Sequence, residues 1–433
     1  MIQPVMKTRR KENFTVAAPV CGLAAGLLCA FDSHAQPAQT NEAVQAETPH
    51  ETKYIMPDLA MSLAKRWEID TKCFTLKFGE DVVIDYTAFR QDAASISQVG
   101  RQEDQWQARE VRLDVGGTVG NEYKVKYYIN TAYNGFDATS ENRWSLIDSW
   151  LAFPLGNSST TLTVGKMKET FDYEVVSSFV TLSQQERVLD PFFTSRDVGF
   201  KFGQVMADKR MTFYAGAFSD WWVNGDTPKN GGADVTGRLT GLLWDCPDGA
   251  HYFHLGIAGR YLSAPTNTLD YKGRPESNVA DDYVDTGKLS ADHAWHLGLE
   301  ALWSQGPFSM LAEYNRAWVA SPSEGNPQFY GFYILGSWIL TGENRPYDHT
   351  VGYTGRIVPK YYWGAPELVA QFSRIDLNDG PVKGGAFDET YLGVNWWLSR
   401  QWKLGFGWGH NRLDRFGKTG ITDTFLSRIQ WVF

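Results

Sequence analysis

Beyond residue 35, this 433-residue chain lacks any run approaching the ~20 apolar residues that a membrane-crossing helix needs, which excludes a helical membrane bundle. Cysteine is nearly absent: past residue 35 only Cys73 and Cys246 remain, too few for a disulfide framework, and two free thiols are expected. No clustered basic run occurs beyond residue 11, and the formal net charge is −9, so nucleic acid is not expected as a partner. Catalytic signatures are missing as well. No G-x-S-x-G or Walker loop is present. The histidine pairs of "HYFH" (251–254) and "HAWH" (293–296) have an odd separation, which on a strand points the rings to opposite faces. "DLNDG" (376–380) lacks the fifth ligand of a calcium loop. No enzyme, metal site or cofactor is expected.

The N-terminus is the one apolar exception. Lys7, Arg9, Arg10 and Lys11 precede "VAAPVCGLAAGLLCAF" (16–31), and "SHA" (33–35) has the form of a cleavage site, together the parts of a secretory signal. A retained anchor is the alternative. Loss of residues 1–35 removes four basic and two acidic residues and takes the net charge to −11. Residues 36–72 read as a polar periplasmic lead-in, in which "DLAMSLAKRW" (58–67) is compatible with a short helix. The folded body is expected over 73–433.

In that body the recurring period is two. "VVIDYTAF" (82–89), "EVRLDV" (110–115), "EYKVKYYIN" (122–130) and "WKLGFGWG" (402–409) alternate large apolar side chains with a second row, which marks half-buried strands. The terminal "FLSRIQWVF" (425–433) sets Phe425, Ile429, Trp431 and Phe433 against Arg428 and Gln430. About sixteen such strands can be counted, joined by connections that alternate short ("PLGNSS", "MADKR", "LSRQ") and long. That rhythm predicts an all-β fold, a transmembrane antiparallel β-barrel with tight periplasmic turns and long outer loops. In lipid every backbone N–H and C=O must be paired, and a sheet achieves this only as a closed cylinder. The long class is expected to include 378–388 ("NDGPVKGGAFD") and 411–421 ("NRLDRFGKTGI"). One connection, "TGENRPYDHTVGYTGRIVPK" (341–360), falls where a short turn is due. A secreted β-sandwich or propeller is the competing fold, and it leaves the short–long rhythm without a cause.

Several stretches are similar to a known family: "DYTAF" (85–89), "VGKMKETFDYEVVSS" (164–178), "QERVLDPFF" (185–193), "RDVGFKFG" (196–203), "RPES" (274–277), "VDTG" (284–287), "LTGENRPY" (340–347) and "LGVNWW" (392–397). On these the chain resembles the phosphate-selective porin O and P family of Gram-negative outer membranes, from about residue 74 to 433. The resemblance implies a sixteen-stranded barrel in outer-membrane lipid, a long third loop folded into the pore, and a homotrimer. It also implies passive passage of small ions or solutes such as phosphate. The long TGE-x-RPY connection is shared by the family.

Ion preference in a pore follows from fixed charge in a narrow, partly desolvated space. Inward parity offers Arg112, Lys124, Lys126, Lys201, Lys403 and Arg428, together with Asp85, Glu110, Asp114, Glu313 and Glu367. The third long loop, about 166–196, adds Lys168, Glu174, Ser177, Ser178 and Arg187 as constriction candidates. Family loops read Ser-Ser-Lys or Ser-Ser-Arg at their centre, whereas here Ser177 and Ser178 are followed by Phe179. The loop also carries Glu169, Asp172, Glu174, Glu186 and Asp190 against Lys166, Lys168, Arg187 and Arg196, an acidic excess. A general or weakly cation-preferring pore, or a barrel whose loops act as an adhesin, therefore stand beside the anion-passing reading.

Overall fold

The computed structural model describes residues 68–134, 143–156, 159–220 and 232–433. The expected signal at 1–35, most of the lead-in and the helix at 58–67 lie outside the described residues. Period-two alternation materialises as sixteen long strands. The first four are β1 (Phe74–Gln91), β2 (Gln105–Val119), β3 (Val125–Tyr133) and β4 (Trp144–Pro154). Next come β5 (Thr160–Lys168), β6 (Arg196–Met206), β7 (Met211–Ser219) and β8 (Asp234–Asp245). They are followed by β9 (His251–Ser263), β10 (His293–Gln305), β11 (Phe308–Ala320) and β12 (Gln328–Ile339). The last are β13 (Ala365–Asp379), β14 (Val382–Trp397), β15 (Trp402–Arg415) and β16 (Lys418–Val432).

Each strand pairs antiparallel with its neighbours, and the ring closes where β1 meets β16 in the register Asp85↔Arg428 and Ile84↔Ile429. Closure satisfies the edges that an open sheet would present to lipid. The two faces of β16 separate as the alternation requires: Ile429 is 45% exposed and Arg428 2%. Around the outside run exposed Leu113, Ile129, Phe200, Ile257, Leu299, Ile334, Leu392 and Phe406, a hydrocarbon-facing belt. Trp402 and Trp431 adjoin near one rim, their ring centroids 6.1 Å apart. The lead-in is not wholly irregular, because Glu68–Asp70 adds a short strand beside Thr75–Lys77. Cys73 and Cys246 are free thiols.

Two connections depart from expectation. The links after β13 and β15 are two-residue turns, Gly380–Pro381 and Phe416–Gly417, with the strands running through what reads as loop. Phe416 and Gly417 have φ of 57° and 70°, the left-handed pair of a tight hairpin turn. Phenylalanine is an uncommon choice there, and the flanking Arg412, Asp414, Arg415 and Lys418 look like solvated loop. This hides the turn from sequence.

The apolar core lies inside the cylinder rather than between sheets. Residues 169–195, 264–292 and 340–364 contribute Phe171, Tyr173, Leu189, Phe192, Tyr271, Tyr283 and Tyr353. These pack against inward-facing Tyr252, Leu302, Phe329, Tyr333, Ile375 and Phe387. Along β10 to β13 the inward-facing positions from Ala294 to Leu377 are all buried by these segments. The long connection at 340–364 is fastened there by Tyr252 Oη donating to Arg345 O (3.0 Å) and Arg238 Nη2 donating to Gly352 O (3.0 Å).

Candidate functional site: the loop inside the barrel

The loop between β5 and β6 begins by building its own small scaffold. Asp172 caps a single helical turn, Tyr173–Val176, by accepting from Val175 N at 2.8 Å, and its other oxygen accepts from Asn315 Nδ2 at 2.6 Å. Tyr173 N donates to Glu313 on β11 (2.7 Å), and Ser183 donates to Glu367 on β13 (2.9 Å). The loop thus lies against the inner wall on the β11–β13 side.

Its carboxylates are turned inward to hold it. Glu174 accepts from Gln184 Nε2 (3.2 Å), Val188 N (3.0 Å) and Leu189 N (2.8 Å); burial pushes its carboxyl up to about 7. Glu186 is gripped by two arginines. Arg109 reaches both its oxygens, at 2.8 and 2.9 Å, and Arg428 Nη2 one of them at 2.7 Å. Burial alone would raise Glu186, but those two guanidiniums outweigh it and hold the carboxyl at about 2. Arg428 also makes a bidentate pair with Asp85 (2.8 and 2.6 Å) and donates to Gln185 O. Phe179 lies under both guanidiniums, 4.9 Å from that of Arg109 and 4.2 Å from that of Arg428. It braces the loop where a loop-borne cation would stand in the family pattern.

The cations are held differently. Lys168 donates to the carbonyls of Val175 and Ser177, and Arg187 to those of Glu174 (2.5 Å) and Ser177 (3.0 Å). Lys201 Nζ approaches Lys168 O at 3.4 Å, and Lys403 donates to Leu182 O at 3.1 Å. Carbonyl partners thus fix these side chains in place. Lys168, Lys201, Arg187, Arg112 and Arg196 stand close enough to feel one another, opposed by Asp148 and Glu110. Within 169–189 Arg187 is the residue that stays half-buried; the rest are buried. Partial exposure of inward-facing side chains occurs on the same side of the ring, at Asp114, Trp150, Lys201 and Tyr214.

The sequence-derived candidates therefore divide. Lys168, Glu174, Ser177, Ser178, Arg187 and Arg428 gather around the loop. Ser177 Oγ donates to Glu174 O (3.2 Å), and both serines are buried. Arg112 is fully buried in an ion pair with Glu110, and Lys201 lines the half-exposed wall. Lys124 is corrected: β3 starts at Val125, so Lys124 belongs to the exposed turn, where strand parity has no meaning. Lys126 is exposed one residue into β3, at the same rim.

Arg109 escapes the sequence reading. Strict alternation puts it on the outer face, but the register shifts between Val83 and Ile84, and the bulge turns Arg109 inward beside Glu110. No signal in the sequence marks that bulge.

Comparison with known proteins agrees with this architecture. The sequence model of the family described as phosphate-selective porin O and P matches residues 76–433. Porin O of Pseudomonas aeruginosa is 22% identical, over 84% of this chain and 89% of its own. Among solved structures, the outer membrane channel DcaP of Acinetobacter baumannii superposes with a TM-score of 0.53 at 13% identity, covering 84% of this chain and 99% of that one. An anion-selective porin from Comamonas acidovorans gives 0.51 at 11% identity, covering 83% and 100%. Identities this low establish a shared fold.

Proposed function

The chain belongs to the phosphate-selective porin O and P family and forms an outer-membrane porin channel; from that premise we propose that small anions, phosphate among them, are its preferred solutes. The observation that carries this is the division of charge in the lumen. Glu174 and Glu186 serve backbone amides and buried arginines, so the loop's formal acidic excess does not face the solute. The half-exposed side instead bears Arg187 and Lys201, with Lys168 beside them, while Arg112 and Arg196 are paired with Glu110 and Asp148. An anion passing there meets positive potential in a space that screens poorly. We assign Arg187 and Lys201 as the solute-facing cations, and Ser177 and Ser178 as part of the loop's frame. A homotrimer and a cleaved signal over residues 1–35 belong to the same proposal, as does the absence of catalysis.

One observation favours the weakly cation-preferring alternative: Asp114 is half-buried on the same wall. Planar-bilayer reversal potentials in a KCl gradient separate the two. The expected outcome is anion over cation permeability, with chloride current blocked by added phosphate. Arg187→Gln should lower the permeability ratio about fivefold, the effect of removing roughly 1 kcal/mol of charge interaction. A ratio favouring cations in the unaltered protein overturns the anion reading.

A further inference from the structure

Where the loop leaves and rejoins the wall, three buried carboxylates meet that the pore reading does not use. Glu169 is the loop's first residue, Asp197 lies just past its end in β6, and Asp234 opens β8. One oxygen from each lies within 4.8 Å of the other two, and the residues are 0%, 2% and 5% exposed. Arg260 of β9 serves two of them. Its Nη2 reaches Asp234 Oδ2 at 2.7 Å and its Nε lies 2.9 Å from Glu169 Oε2, while Nη2 also donates to Thr194 Oγ1. That second contact is poorly aimed, and Glu169 Oε2 is left without a hydrogen bond. Asp197 faces the carboxylates of Glu169 and Asp234, with Arg260 and Lys166 as the cations that act on it.

With all three ionised, the carboxylates exceed the one guanidinium by two negative charges where water scarcely reaches, and uncompensated buried charge is costly. A divalent cation brings the sum to zero. Oxygen-only donors of this kind, each carboxylate able to bind through one or two oxygens, suit a hard ion that accepts irregular geometry, calcium before magnesium. We propose that Glu169, Asp197 and Asp234 bind one Ca²⁺, with Arg260 as an outer partner, and that the ion ties both roots of the loop to β8. This inference does not depend on which ion the pore prefers.

The test uses the purified full-length protein in detergent, stripped with EDTA and titrated calorimetrically with CaCl₂. The expected result is saturable uptake of about one Ca²⁺ per chain in the unaltered protein that is lost in Asp197→Asn. Metal-free Asp197→Asn should melt no lower than the metal-free parent, since it removes a repelling charge. If Asp197→Asn does not fold, melting of the parent decides: a rise with CaCl₂ over NaCl at equal ionic strength supports the site. Uptake in the parent no greater than in Asp197→Asn, or no such rise, overturns it and leaves a shared proton as the neutralising partner.

Discussion

At the scale of single residues, the interior is governed by what each charge is paired with. Glu186 shows it most clearly, since its carboxylate joins Arg109 of β2 to Arg428 of β16 and stacks both over Phe179. Removing one member of a buried network leaves its partners charged and unpaired, a cost of about 3–5 kcal/mol. Glu186→Ala should therefore lower the stability of the folded barrel by that order in guanidinium unfolding. Arg412→Ala breaks its exposed pairs with Asp414 and Asp388, the latter still held by Arg374, and should cost under ~1 kcal/mol. Equal losses in the two variants would count against Glu186 as the loop's clamp.

At the scale of elements, the loop at 169–195 owes its position to side chains far off in sequence and its shape to local capping. Glu174 couples the two. It collects the amides of Val188 and Leu189, and burial places its folded-state carboxyl at about 7 against the ordinary 4.5. A carboxyl raised by folding contributes fully below about pH 4.5, and that contribution is lost as pH rises through about 7. Glu174 alone should make the barrel weaker at pH 8 than at pH 5 by about 2 kcal/mol in unfolding measurements. Glu174→Gln should reduce that difference without abolishing it. Glu186, held at about 2, makes its full contribution by pH 5 and adds nothing in this window, which Glu174 shares with buried Asp172 and Glu276, both raised by burial.

Which elements exist was legible; where some of them end was not. Alternation in "FLSRIQWVF" assigns Ile429 to lipid and Arg428 to the lumen, and both sit so. The hairpin turn at Phe416–Gly417 was hidden because charged strand ends near the rim carry the composition of loop. The bulge at Arg109 was hidden because one extra residue reverses every parity beyond it without altering composition.

At the scale of the whole molecule, one wall of the lumen is packed solid by three inserted segments and the other keeps the half-exposed cations. The proposed homotrimer is checked by light scattering of the detergent-solubilised protein, in which three copies per particle are expected. A monomer under every mild detergent overturns that part of the proposal.

The amino-acid sequence by itself determined the closed barrel, its two faces and the approximate number of strands. Those follow from backbone pairing in lipid and a two-residue period, which are local properties. Only the tertiary structure decided which charges are paired with one another. Glu186 finds Arg428 across 242 positions and Arg109 across 77, and no local pattern encodes such meetings. An acidic loop thus lies within the lumen with Glu186 committed to two buried arginines, because a carboxylate's reach depends on its partner and not on its place in the chain.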